Sequence, residues 1–355
     1  MSKKPRQRGL FDIDNHAASV LKRNRVLLDL SQMVNWELFR SLVESSAPVS
    51  SRGLGGRPSY DRVLLFKILI LQQLYNLSDA QMEFQIHDRT SFRLFLGLEL
   101  HDAVPDEKTI WLFREQLRSS GAHDEAFELW SRELRRRGIK ASKGTIVDAT
   151  IIEVPAPAQR VSTIEPDAAA TTAAPSPERP AQVRQKDADA TKMFKGGRWY
   201  YGYKNHIIID EVSGLIEGYV VTTAKVGDNQ GLELIFASSW TKNNPRRGRS
   251  ILGDKGYDSR ECRRLVKQHK MNDELMLMRR NNKDAPESIV KEKRNQQISK
   301  RRRRVEHVFA WMKRQMKVFD VRCRGIGRVQ SNIALQNLTY NLFKGCQILQ
   351  SSALT

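Results

Sequence analysis

The stretch GTIVDATIIEV, residues 144–154, decides the fold. It alternates and is rich in β-branched residues, so it reads as a strand. It also carries an acid, Asp148, inside the run. An acid is rarely buried in a strand unless something offsets its charge. Asp148 is therefore either a satisfied core acid or part of a site.

Upstream of this strand, residues 15–140 read as helical. The run RVLLFKILILQQLY from Arg62 is apolar on nearly every turn, as a buried helix is. Ser78 suits the N-cap of a following helix, Thr90 or Ser91 that of the next, and Gly97 a helix stop. Asp106 suits a further N-cap, ahead of Ile110, Phe113 and Leu117 on one apolar face. Short helices joined by tight turns with arginines outside fit either a helix-turn-helix-like DNA-binding region or an ordinary bundle.

Downstream, residues 154–190 hold six of the twelve prolines and many alanines, which predicts an extended loop. Its end carries Lys186, Asp187, Asp189, Lys192, Lys195 and Arg198, either a clamp on DNA or a solvated linker. RWYYGYKNHIIIDEVSGLIEGYVVTTA, 198–224, predicts two strands turning at Gly214. DNQGLELIFASSW predicts a helix with Asp228 as its N-cap, a reading preferred to Asp228 approaching a metal. RSILGDKGYDS predicts a buried strand ending at Asp254 and a helix from about Ser259, and DELMLMRR a short strand. Beyond Asn281 the chain reads as helical and basic to about residue 315. This order implies a mixed sheet with helices on its faces, an α/β architecture. The expected organisation is a helical DNA-binding or end-recognition domain, 1–140, and a catalytic domain, 141–355, with no internal repeat.

The chain has 355 residues, a net charge of +20 and a sequence pI near 10.0. So basic a chain seeks polyanions, because each neutralised phosphate releases condensed counterions. Nucleic acid is the first partner expected and an anionic membrane the second. The longest apolar stretch is interrupted by Lys67, Gln72 and Gln73 and falls short of the roughly 20 residues a span needs. The basic N-terminus lacks a signal peptide's apolar segment. Cys262, Cys323 and Cys346 form neither a disulfide framework nor a zinc spacing. A reduced cytoplasmic protein follows as the expectation.

Asp254 and Glu306 join Asp148 as candidates. Two converging aspartates repel unless a divalent cation neutralises them, and oxygen-only ligands suit Mg²⁺ or Mn²⁺. Two such ions can clamp both the attacking and the leaving oxygen of a phosphodiester. Singly, each acid has a plainer reading: Asp254, before Lys255 and Gly256, as a turn residue, and Glu306 as a surface acid. Glu306 lies in KRRRRVEHVFAWMKRQMK, 300–317. From Lys291 to Arg328 fourteen Lys or Arg face three acids, more than half of the chain's positive excess. Arg302 and Lys313 share a helix face with Glu306 at about 100° per residue. Arg302 is read as a partner for Glu306 or for a phosphate, and Lys313 as a backbone contact. Arg301, Arg303, Arg314, Arg57, Arg89 and Arg93 are further candidates for DNA contact. Lys204 and His206 point to one side of their strand and are candidates for phosphate near Asp148, a polar strand face being the alternative. Trp199, Tyr200, Tyr201 and Tyr203 read first as packing and only then as a surface for stacking on a base. His307 lies about 100° around the helix from Glu306 and is not taken as a ligand.

These motifs together resemble transposases of the DDE superfamily from bacterial insertion sequences, of the insertion-sequence-five group. GRPSYDRVLLFKILILQQLYNLSDAQMEFQIHDRTSFRLFLGLELHDAVPDEKTIWLFREQL is similar to that group's helical N-terminal domain. TIVDATIIEVPAP and ILGDKGYDS look like its two aspartate motifs, and residues 198–228 like its central hairpin. Arg302, Glu306 and Lys313 fit the spacing of its last motif, although Ser299 stands where the family has tyrosine. The resemblance implies an RNase H-like domain with Asp148, Asp254 and Glu306 holding two Mg²⁺ ions, for which Mn²⁺ can substitute. It implies hydrolysis at the element's terminal inverted repeats, then attack of the freed 3′-hydroxyl on target DNA, by a homodimer on double-stranded DNA in the bacterial nucleoid. The competing readings are an RNase H-like nuclease without strand transfer and a non-catalytic DNA-binding protein derived from a transposase.

Overall fold

The computed structural model describes residues 19–20, 22–47, 59–154, 187–238, 247–278, 286–317 and 321–353. The N-terminal part is helical: Arg25–Met33 (α1), a 3₁₀ turn at Trp36–Phe39, Arg40–Ser45 (α2), Arg62–Tyr75 (α3), Asp79–Asp88 (α4), Thr90–Leu96 (α5), Glu107–Ser120 (α6) and Ala122–Arg136 (α7). The local chemistry sets these ends. Ser78 and Gln81 close a capping box on α4 and Asp106 accepts from the Thr109 amide at the start of α6. Gly97 ends α5 in the left-handed conformation at φ 78°. At α5 the expected Thr90 or Ser91 cap is corrected: Arg89 takes the N-cap position with no side-chain bond, and the helix starts at Thr90.

The sheet comprises Gly144–Glu153 (β1), Thr191–Lys195 (β2), Arg198–Asp210 (β3), Ile216–Thr223 (β4), Ser250–Gly253 (β5) and Asn272–Leu275 (β6). β1 is antiparallel to β3, and β3 to both β2 and β4, while β5 and β6 continue parallel to β1. Along β4–β3–β1–β5–β6, three antiparallel strands followed by two parallel ones form an RNase H-like arrangement, and β2 pairs with the first residues of β3. β2 begins at Thr191, directly after the segment read as a loop, where no strand was expected before Arg198. Residues 155–186, and with them Lys186 and the Pro/Ala run, lie outside the described residues.

Helices Asp228–Ala237 (α8) and Arg260–Gln268 (α9) cover one sheet face. The other face is covered by Pro286–Met316 (α10) and Ile326–Ala353 (α11). Sequence reading stopped near residue 315 and missed α11, which lacks the charge pattern that flags α10. α11 packs against α7, α3, α1 and β4. Trp130 on α7 is fully buried and donates its indole N–H to the Asn341 carbonyl at 2.9 Å. The Asn341 amide in turn pairs with both backbone groups of Ile216 on β4. Asp187 and Asp189 accept from the Gly325 and Ile326 amides and so satisfy the start of α11. A single apolar core therefore runs from Leu27 to Cys346 across the residue-140 boundary. Among the described residues no helix is long and apolar enough to cross a membrane.

Candidate active site

The register places the first two acids. β1 and β5 pair in parallel, Ile146 opposite Leu252, so Asp148 stands two residues further along β1 and Asp254 two residues further along the neighbouring chain, directly after the end of β5. The two carboxylates are close enough for Asp254 to repel Asp148 electrostatically. Asp254 also accepts from the Gly256 amide at 2.8 Å, which starts the short 3₁₀ turn Lys255–Tyr257.

Glu306 comes from α10, which passes over β1 and β5. One turn before it, Arg302 is 9% exposed and its Nη2 donates to Asp148 Oδ2 at 3.0 Å. Glu306 itself is exposed, about 6 Å further along the helix axis. Arg302 thus serves neither expectation for it. It turns inward and pairs with Asp148, so its assignment to DNA is corrected.

A fourth acid joins them. The expected N-cap role of Asp228 is corrected, because Gly227 is the N-cap of α8 and Asp228 lies in the first turn. A side chain at Gly256 would touch both Asp254 (3.0 Å) and Asp228 (3.6 Å), so these two carboxylates flank the same point. Lys204 Nζ holds Asp228 Oδ1 at 2.9 Å and the Val226 carbonyl at 2.7 Å. Tyr257 is fully buried beneath this cluster, and its hydroxyl has no hydrogen-bond partner. Sequence reading missed Tyr257. The only signal was its place three residues after a candidate acid, Asp254.

The electrostatics follow from this crowding. Asp148 is pushed up to about 6, chiefly by burial, against the pull of Arg302 and the Ala149 amide, with Asp254 and Asp228 adding repulsion. Burial and the same three carboxylates also hold the Tyr257 hydroxyl well above its ordinary value.

Lys204 and His206 are corrected as phosphate contacts. Asp148 pairs with Ile207, so the alternation sends Lys204 and His206 to the opposite face, beneath α8. They are 5% and 0% exposed. His206 Nε2 meets Thr222 Oγ1 at 2.9 Å, and its ring lies so close to Gly231 that a Cβ there would come within 2.1 Å. Burial, with Lys204 adding, lowers His206 to about 4. Arg93 is corrected too: it is buried and donates to the Glu99 and Asp102 carbonyls. Arg301 pairs with Glu211 and Glu274, and Arg89 lies over the Phe92 ring at 5.2 Å. Arg303, Lys313 and Arg314 are exposed on α10. Arg57 lies outside the described residues. Of the aromatic run, Tyr201 and Tyr203 are buried against Asp187, and Trp199 is exposed.

The donor set is all oxygen, the carboxylates repel, and a buried hydroxyl beside them lacks a partner, which fits a hard divalent cation. Among the described residues no three such side chains yet stand close enough to enclose an ion. Arg302 and Lys204 supply the compensating charge instead.

The piggyBac transposase synaptic complex with hairpin DNA, solved by cryo-EM, aligns over 99% of this chain and 79% of its own at 10% identity, with a TM-score of 0.44. A transposase domain model matches residues 15–116. The transposase DDE domain model matches residues 139–342, more than half of the sequence and all of the sheet with its acids, and the chain belongs to that family.

Proposed function

We propose that the protein is a DNA transposase of the insertion-sequence-five group that binds the terminal inverted repeats of its element, cleaves there and joins the 3′-hydroxyl ends to target DNA. The observation that carries the reading is the placement of Asp148 in β1 and Asp254 at the end of the neighbouring parallel strand, with Glu306 one turn beyond the arginine that holds Asp148. Asp148, Asp254 and Glu306 would hold two Mg²⁺ or Mn²⁺ ions, which would supply the Lewis-acid charge that activates water and then the 3′-hydroxyl. For that, Arg302 releases Asp148 Oδ2 and Glu306 swings in from solvent. Asp228, fixed by Lys204, keeps the site electronegative from the other face of the sheet. Arg303, Lys313 and Arg314 line the outer side of α10 for phosphates. Two ends must be brought together, so a homodimer on DNA in the nucleoid completes the reading.

The test is incubation with Mg²⁺ and a plasmid carrying the element's ends. Excised ends and joined products are expected, and both should vanish with Asp254→Asn. Cleavage without joining would replace the proposal with a nuclease of the same fold, and binding without cleavage with a DNA-binding descendant.

A further inference from the structure

Far from the acids along the chain, α3, α6 and the start of α11 enclose a cleft of about 600 Å³. Five arginines line it: Arg114, Arg118, Arg322, Arg324 and Arg328, against two acids, Asp79 and Glu115. Its arginines are already shared out. Arg114 forks onto Asp79, while Arg118 and Arg328 both hold Glu115, and Arg322 donates to the Asn76 carbonyl. The charge left over is positive, and like charges gathered in one concavity repel unless an anion sits among them. The wall also carries an unused donor, because Ser331 is 2% exposed and its hydroxyl has no partner. At the rim Trp111 is 45% exposed, an indole with no role in the core.

We infer that this cleft seats the sugar–phosphate backbone of one DNA strand. The inference rests on the DNA-binding reading above and gives the helical N-terminal part a named point of grip. The volume is that of a small-ligand site. It admits a phosphate with its sugar, but not a duplex some twenty ångströms across, so the duplex lies over the mouth. Guanidinium groups fork onto phosphate oxygens, and the Ser331 hydroxyl supplies a neutral donor behind them. Trp111 packs on the sugar or base beside the phosphate. Residues 322–328 and α6 come from the two separately matched parts of the chain, so a strand held here ties them together.

The test uses the full chain and a fluorescent duplex carrying the element end, titrated by anisotropy from 50 to 300 mM KCl. Arg322→Gln/Arg324→Gln removes two exposed arginines and spares the ion pairs of Arg114, Arg118 and Arg328. A control pair, Lys267→Gln/Lys270→Gln on and after α9, removes the same charge elsewhere. Each lost phosphate contact lowers the slope of log K against log salt by about 0.9. The cleft variant should therefore lose about 1.8 from its slope, and the control pair almost nothing. Equal slopes for cleft and control variants overturn the inference. So does inorganic phosphate at millimolar concentration displacing the duplex equally from wild type and cleft variant. Wild-type chain that binds no DNA at all is the separate result that sinks the functional proposal itself.

Discussion

Asp148 should make the cation-free protein lose stability as pH rises, and Asp148→Asn should abolish that loss. The group sits at about 6 in the folded chain against an ordinary 3.8, so between those values the folded state holds a proton that the unfolded state has released. The contribution of Asp148 to stability therefore falls with pH across that window and is flat above it. A shift of about two units at 1.36 kcal/mol each corresponds to about 3 kcal/mol by pH 7. Removing the carboxylate also leaves Arg302 without its partner, but that penalty does not vary with pH because an arginine never titrates in this range. The assay is urea unfolding of wild type and Asp148→Asn in chelator at half-unit steps from pH 4 to 7.5. The stability of the variant minus that of the wild type should rise by about 3 kcal/mol between pH 4 and 6.5 and then level. Adding Mg²⁺ or Mn²⁺ at pH 7 should raise the wild type toward the variant and leave the variant unmoved. A difference that stays constant over the whole range would refute the claim that burial and the neighbouring acids strain this carboxylate.

His206 gives the opposite slope. Held at about 4 against 6.5, it stays neutral when folded, so stability is lost as pH falls from 6.5 toward 4, and His206→Gln should flatten that limb in the same urea series. Because the two windows overlap with opposite signs, the wild-type curve alone should look nearly level there. Trp130→Ala should cost about 3–5 kcal/mol in chemical unfolding, since it empties the α7–α11 contact and strips a partner from the Asn341 carbonyl. Glu306→Gln should leave the melting temperature within a degree or two, because the side chain is exposed, while abolishing Mg²⁺-dependent cleavage of end DNA. A fragment of residues 141–355 should fail to unfold cooperatively by circular dichroism, because it would expose the face that α11 turns toward α1, α3 and α7.

The parts of the molecule that were legible are those governed by local periodicity and capping. The helix starts at Ser78 and Asp106 and the stop at Gly97 follow from a side chain meeting an amide two or three residues away, or from a single backbone conformation. β1 was legible because alternation is a property of ten consecutive residues. The partners of charged groups were not legible, because they depend on which strand lies beside which. Arg302 was read along its own helix, toward Glu306, whereas it bonds Asp148, 154 positions away in sequence. Lys204 and His206 were placed on a common face correctly, but which face depends on the register of β3 against β1, and a one-residue slip would have reversed it.

The same register explains why the site should be read as restrained rather than assembled. α10 brings a cation and an acid to the sheet one turn apart, and only the cation reaches Asp148. Lys204 does from the other face what Arg302 does from this one, so Asp228 and Asp148 each have one fixed positive neighbour, while Asp254 is held by the Gly256 amide. A chain with a net charge of +20 has no shortage of cations to quench an acidic cluster completely. Asp148 nevertheless remains pushed upward, with the Tyr257 hydroxyl unpaired beneath it. A purely structural ion pair would have been selected to remove both costs. Their persistence at the level where two strands present aspartates is what a site awaiting further positive charge requires.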